Sequence, residues 1–517
     1  MANLQRSIVL AVKEETTAGT PVVPSAGTDF IPLKVGASMT AAQEELTNDE
    51  IQNNLGQPKS LTGKETPSGT HGIYLKASET AGQAPEYGIM VESCLGAKST
   101  AGAEYDTVAG STTTVLNVDT GEGASYEVGE AVLVQDGTNG YSIRNVKSIS
   151  NDALTLNYAL ANAPASGVNL GQAVLYKPAT TSIPTFTAWM YRSSGAAIEM
   201  MAGCKTSSMS MTLTAGQQAE AEFSYEGTGY YFNPVVISSS NKYIDLTDDG
   251  GTIVITLTEG VYKDPIELAT HITTVGTAAC AASGGDDFSC TYSSSTGKFT
   301  IATTTGTLFS ILWKTGTHGA DNADDHVGTT LGFSDAADDT GALTYTSDLA
   351  INMDPADATN IVTQSALTPT YDGADNVVVK SAELFVGSSS DNTCIKASNL
   401  TITVDTPSVD ADSICSASGL FEKVASTRTV TLTATTILDQ YDAAQFNRFY
   451  NNTTTQAMVN IGPKSSGDWV KGKCVNMYLG NCTVTGHAVG GDDFVTLELT
   501  LKGFITSSLE DFYFNLI

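Results

Sequence analysis

The chain has 517 residues, 41% of them hydrophobic and 16% charged, with 56 Asp plus Glu against 25 Lys plus Arg and a formal net charge of -31. The length suggests about three or four domains, and the Thr, Ser, Gly and Ala that fill the neutral surface favour strands and tight turns over helices. Such acidity excludes adhesive binding to phosphate backbones or anionic membranes, which needs clustered cations, although DNA held off by repulsion stays open.

No stretch is long and apolar enough to cross a bilayer. Ile8–Val12 is too short for the apolar region of a signal peptide, and Lys13-Glu14-Glu15 follows it at once. The expectation is a soluble product assembled in the cytoplasm, with no membrane partner. Eight cysteines are present without a CxxC pair or a Cys/His metal spacing. Cys94, Cys394, Cys474 and Cys482 read as small buried hydrophobes, and Cys280 and Cys290 as a reduced pair facing each other across a hairpin.

In chain order, a polar arm (KEETTAGTPVVPSAGTDFIPL) leads into about thirty acidic, unpatterned residues from Ser38 to Gly69. A loop that long inside a compact domain is normally functional or disordered. A strand follows at HGIYLKA, and Pro85 opens a helix that Gly96 closes. Between Asp106 and Pro178, short alternating strands separated by Gly and Asn turns predict a small β-barrel module. MSMTLTAGQQAEAEFSYEG, from Met209 to Gly227, then alternates apolar and polar residues around a Gly, the pattern of two half-buried strands.

From Val235 the pattern changes to strands around one strong helix start, with Asp264 at the N-cap, Pro265 at N1 and Glu267 at N3. The last third returns to alternating strands (NLTITVDT, RTVTLTAT, KCVNMYLG, VTLELTLKGF) with one helix at QYDAAQFNRFY.

The two outer regions share an order: strand, acidic excursion, strand, helix and a closing strand pair. The fold class expected is therefore mainly β, a sandwich or barrel fold duplicated in the chain with one helix per repeat. Residues 1–107 and 179–234 form the first repeat, 108–178 the inserted β-barrel module, 235–348 an inserted α+β module, 349–379 a linker and 380–517 the second repeat.

Together, KEETTAGTP, QEELTNDEIQNNLG, GQAPEYGIMVESCLGA, the run from IPTFTAWMYRSSG to SMSMTLTAGQQAEAEFSYEG, and the terminal SLEDFYFNL resemble the major tail protein, or tail tube protein, of long-tailed bacteriophages. The resemblance covers the two outer regions and rests on the joint order of loose patterns. It implies β-sandwiches packed into rings whose inner wall is a continuous β-barrel, with rings stacked into a tube that conducts the genome. A duplicated chain implies a trimeric ring with pseudo-sixfold symmetry, and a hexameric ring is the alternative. The implied partners are further copies of the chain, the tail tip, tape measure and tail terminator proteins, and double-stranded DNA passing without tight binding. The implied location is the virion tail, and no cofactor is implied.

Within a closed barrel alternate residues face inward, which makes Glu220, Glu222, Glu226 and Glu498 the candidate lumen-facing acids. Lysines there would neutralise phosphates and slow transit. Glu44, Glu45, Asp49 and Glu50 mark a candidate inter-ring loop that orders on assembly, with Thr406–Ala425 as its counterpart. The clusters Asp321, Asp324, Asp325 and Asp335, Asp338, Asp339 lack calcium-loop spacing, and His318 and His326 lack a third metal ligand. None of the five histidines lies in a catalytic motif, so the chain reads as non-enzymatic. The runner-up class is a multidomain adhesin or glycan-binding surface protein, with a polysaccharide-acting enzyme third.

Overall fold

The structure is a computed structural model and describes the chain except residues 1–7, 26–27, 35, 52–54, 101–102, 137–139, 193–196, 286, 352–368, 370, 372, 392, 416–418, 438–442 and 492–494. The fold is mainly β, with many sheets and a half-barrel.

The first repeat contributes β1 (Val9–Glu14), β2 (Ser38–Thr40), the hairpin β3 (Gln43–Leu46) and β4 (Leu61–Glu65), β5 (Ser68–Tyr74) and helix α1 (Gly88–Leu95). After the first insertion come β6 (Phe186–Arg192), the long β7 (Ala197–Thr214), β8 (Glu220–Glu226) and β9 (Gly229–Phe232). The second insertion carries helix α2 (Pro265–Ser283). The second repeat comprises β10 (Glu383–Gly387), β11 (Ala397–Asp405), the hairpin β12 (Ser408–Asp412) and β13 (Leu420–Ala425), and β14 (Thr429–Ile437). It continues with helix α3 (Ala443–Tyr450), β15 (Thr455–Ile461), the long β16 (Val475–Gly490), β17 (Thr496–Gly503) and β18 (Tyr513–Leu516).

Pairing shows the two repeats to be one plan used twice. The first half of β7 lies between β6 and β9, and β1 extends the sheet beyond β6. The first half of β16 lies between β15 and β18, and β10 extends the sheet beyond β15. The second half of β7 pairs with β8, then β5, then β2. The second half of β16 pairs with β17, then β14, then β11. Even the bulges match. β7 skips a residue between Thr206 and Ser208, and β16 between Val484 and Gly486. Phe186 opposes Cys204 where Thr455 opposes Cys482, each next to a further bulge. Bulges re-aim a strand at a fixed point, so their recurrence fixes the residue correspondence: Cys204 with Cys482, Glu222 with Glu498, Glu226 with Lys502.

The repeats are joined edge to edge. β7 pairs with β11 from Ser208·Asp405 to Thr214·Asn399, giving the strand run β2-β5-β8-β7-β11-β14-β17-β16. One hydrophobic core runs beneath both repeats, from Leu10 and Met90 to Leu432, Leu499 and Leu516. Each such side chain contributes about 1.5–3 kcal/mol when fully buried.

The first inserted module is a six-stranded sheet with its own core around Leu116, Val134, Val146 and Leu156. The strand Val174–Pro178, which the sequence placed in that module, pairs instead with β18 and with Gly96–Ser99 of the main sheet. Its Val174 and Tyr176 join the main core, which is why it leaves the module. Module and second repeat meet through fully buried amides: Asn145 donates to Asn476 at 2.8 Å, Asn515 to Asn476 at 3.0 Å, and Asn476 to Asn460 at 2.7 Å.

The second module has a separate core around Ile244, Leu268, Phe299 and Trp313. Its helix α2 is capped by Asp264, which accepts from Glu267 N at 2.8 Å, while Glu267 accepts from Lys263 N. Cys280 lies on α2 and Cys290 on the strand Ser289–Ser293 packed against it, so they do not face each other across a hairpin. Cys394 is exposed in the turn between β10 and β11, contrary to its reading as a buried hydrophobe. Most of the expected linker, 349–379, lies outside the described residues. Its end is part of the main fold: Val377 N donates to Leu75 O and Ala219 N donates to Val377 O.

Candidate functional site

The joined strands present two contrasting faces. Met209, Met211, Phe223, Ile402, Leu432 and Leu499 point into the core. The other face carries Ser208, Ser210 and Thr212 on β7, Thr401 and Thr403 on β11, Thr431, Thr433 and Thr435 on β14, and Thr496 and Thr500 on β17. The alternation has a direct cause: successive side chains of a strand leave on opposite sides. Hydroxyls tie this face across strands, as in Ser38 to Thr70 at 3.0 Å and Ser208 donating to Asp405 at 2.6 Å.

All four expected lumen acids lie on this polar face, in three different settings. Glu222 and Glu498 occupy equivalent positions in the two repeats and are exposed. Glu220 is paired with Lys34 at 2.6 Å. Glu226 is drawn to the β12/β13 hairpin, accepting from Lys423 at 3.1 Å and from Ser408. Sequence reasoning missed Lys34, Lys423 and the hydroxyl-rich strands as parts of the site. The Thr at every second place in NLTITVDT and RTVTLTAT was a signal for the strands, whereas no local pattern marked either lysine.

The candidate inter-ring acids sit on the other excursion. Glu44 and Glu45 lie on β3, and Asp49 and Glu50 in the segment beyond it, all four exposed. Both excursions form β-hairpins, at matching places between β2 and β5 and between β11 and β14. They are tied to each other by Lys64, which reaches Asp410 at 2.7 Å and Asp412 at 3.2 Å, and within the second hairpin Lys423 reaches Asp410 at 2.6 Å. Hydrogen bonds to Asp410 and Asp412 raise the Lys64 pKa above its ordinary value. Partial burial pushes the Asp410 carboxyl up, but the bonds from Lys423 and Lys64 outweigh it and hold the group low. These bridges join the two hairpins within one chain. The hairpins nevertheless leave Ile51, Leu55, Val409, Ile414 and Phe421 in solvent. Scattered single exposures are ordinary, and a concentration on two adjacent elements is not.

The remaining polar clusters have structural explanations. Asp324, His326 and Asp335 bring one potential ligand atom each within 4.8 Å of one another. His326 Nδ1, however, accepts from Gly328 N at 3.1 Å, which puts the ring proton of neutral histidine on Nε2, the nitrogen facing Asp324 at 3.8 Å. A metal needs that nitrogen's lone pair, so the donor set does not fit an ion. Asp245 accepts from His318 N at 2.7 Å and contacts its Nδ1 at 2.9 Å, with the imidazole stacked on Tyr243, which clamps a loop. His271 Nε2 accepts from Thr258 N at 3.1 Å, and His487 packs between Phe446 and Phe449.

No family model matches the chain, and no curated protein matches it. Among solved structures it is similar to a chain from the virion of a native gene transfer agent particle, with 13% identity and TM-score 0.18 over 24% of this chain and 92% of that one. It is also similar to a mavirus penton protein, with 12% identity and TM-score 0.18 over 62% of this chain and 91% of that one. Both are virion components, at a level of similarity that carries no argument about this fold.

Proposed function

We propose that this chain is a structural protein of a virion that self-assembles into stacked rings forming a tail tube, whose polar lumen conducts double-stranded DNA during ejection. The observation that carries this reading is the half-barrel: two equivalent four-stranded units, joined edge to edge, with one continuous polar face and, among the described residues, an unpaired strand edge at each end. Further copies added at those edges extend the same wall, and three copies give a trimeric ring with pseudo-sixfold symmetry.

The chemistry of the polar face suits a moving polyanion. Hydroxyls hydrate the wall, Glu222 and Glu498 repel phosphate, and Lys34 is neutralised by Glu220. Lysine-rich walls would release counterions and hold DNA tightly. The paired hairpins, with their exposed apolar residues, supply contacts from one ring to the next. In this reading the chain is non-enzymatic, works in the virion tail after assembly in the host cytoplasm, and meets the tail tip, tape measure and tail terminator proteins.

Electron microscopy of the purified protein, alone and with a nucleating tail tip, tests the proposal. Stacked rings with a bore wide enough for a duplex support it. A protein that stays monomeric under both conditions refutes it.

A further inference from the structure

The internal joint between β7 and β11 has a counterpart that a single chain leaves open. On one side, among the described residues, the second half of β16 pairs only with β17, whereas its equivalent in β7 pairs with β8 and with β11. On the other, among the described residues, β2 pairs only with β5, whereas its equivalent, Thr401–Thr403 of β11, pairs with β14 and with β7. An edge strand offers unpaired N–H and C=O groups to any matching edge.

We propose that the outer edge of β16 pairs antiparallel with β2 of a second copy of this chain, in the register Ala488·Thr40, Val489·Met39 and Gly490·Ser38. This rests on the ring-forming reading above and adds the residues that make the contact. The register follows from the internal joint. Ser210, Met211 and Thr212 oppose Thr403, Ile402 and Thr401. The shared bulge makes Ser210, Met211 and Thr212 the equivalents of Ala488, Val489 and Gly490. Pairing with β5 and β14 makes Thr403, Ile402 and Thr401 the equivalents of Thr40, Met39 and Ser38.

Burial supports the assignment independently. Met211, sealed within the internal joint, is fully buried, whereas its equivalent Val489 is 54% exposed. The same contrast holds for the helices. α1 lies over the internal joint: Cys94 O accepts from Thr406 just beyond β11 at 3.1 Å, and Met90, Val91, Cys94 and Leu95 are buried. α3 packs mainly on β16, with Gln445 and Arg448 also donating to Val386 O of β10, and leaves Phe446, Phe449 and Tyr450 partly in solvent beside His487. A second copy's β2, with the chain flanking it, would cover this patch as β11 covers its equivalent.

Backbone geometry supplies a clean test. Thr406 N donates to Ser207 O and Ala215 N donates to Ser398 O, so odd residues of β7 point their N–H groups at β11. The equivalents of Met209 and Met211 are His487 and Val489, whose N–H groups therefore face the open edge. Val489→Pro removes one outward donor and leaves the β17 ladder intact, a substitution that edge strands tolerate. Ala488·Thr40 corresponds to a non-hydrogen-bonded pair, where Cα atoms lie closest and a disulfide fits.

In a background with Cys394→Ser and Cys415→Ser, Thr40→Cys and Ala488→Cys proteins are mixed, assembled and mildly oxidised. The expected result is a disulfide-linked dimer, and only background linkage when Ser38→Cys replaces Thr40→Cys. Val489→Pro is expected to keep the circular dichroism of the parent and lose assembly. Rings that form without the 40–488 crosslink, or that form normally from Val489→Pro, overturn the pairing while leaving the ring-forming reading in place. Absence of both rings and crosslink overturns both. If Val489→Pro fails to fold, the crosslink decides alone.

Discussion

His71 on β5 makes the sharpest thermodynamic prediction. Its ring is buried between Phe223 and Tyr225 with neither nitrogen hydrogen-bonded, and burial pushes its pKa down to about 3. The space is tight: a Cβ at Gly69 would meet the Tyr225 ring at 2.3 Å, so the neighbouring strand position has no room for a side chain. Because the folded pKa lies below the unfolded one, the unfolded chain binds more protons in acid. The stability this neutral histidine preserves is full above the unfolded value and is lost as pH falls from about 6.5 towards about 3. With those two values, unfolding becomes easier by about 2 kcal/mol between pH 7 and pH 5 through this residue alone. His71→Leu removes the titration and fills the site with an apolar side chain. Urea midpoints of parent and variant at both pH values provide the assay, and their difference cancels the carboxylates common to both. The variant should lose less stability on acidification by about 2 kcal/mol. An identical pH dependence in the two proteins would refute the claim that the buried ring stays neutral.

For the lumen, Glu222→Lys with Glu498→Lys should slow genome delivery without preventing assembly; normal infectivity of such particles would sink the assignment of this face to the bore. In the hairpins, Lys423→Met removes the cation that Glu226 and Asp410 share, leaving Asp410 with Lys64 and Glu226 with Ser408, and should destabilise the β12/β13 region by about 1–3 kcal/mol, read as faster hydrogen exchange over β12 and β13. At the module boundary, Asn476→Leu removes one buried hydrogen bond from each of Asn145, Asn460 and Asn515, whose amides keep bonds to Gly129 O, Ile143 O and Gly129 O. It should cost about 2–4 kcal/mol, with limited proteolysis showing earlier release of the first inserted module. Calorimetric titration with Ca2+ or Zn2+ should give no binding that depends on His326, because Nδ1 is occupied by Gly328 N–H. Binding abolished by His326→Ala would show that the ring flips to accept an ion.

Much of this protein is local and therefore legible in its residues. Period-two alternation in MSMTLTA, EAEFSYE, NLTITVD and RTVTLTA fixed which side chains are wet and which are buried, because strand geometry leaves no other choice. Asp264, Pro265 and Glu267 placed the start of α2 for equally local reasons. Tertiary structure decided what no short window contains. It assigned Val174–Pro178 to the main sheet through its partners, put Cys394 in solvent, and divided four similar glutamates into two exposed and two paired. Lys34 and Lys423 had no local mark, since an ion pair between distant segments depends on where the chain returns. The internal joint, and with it the identity of the open edges, came only from which strands meet, because backbone edges are chemically alike until a fold pairs some and leaves others free.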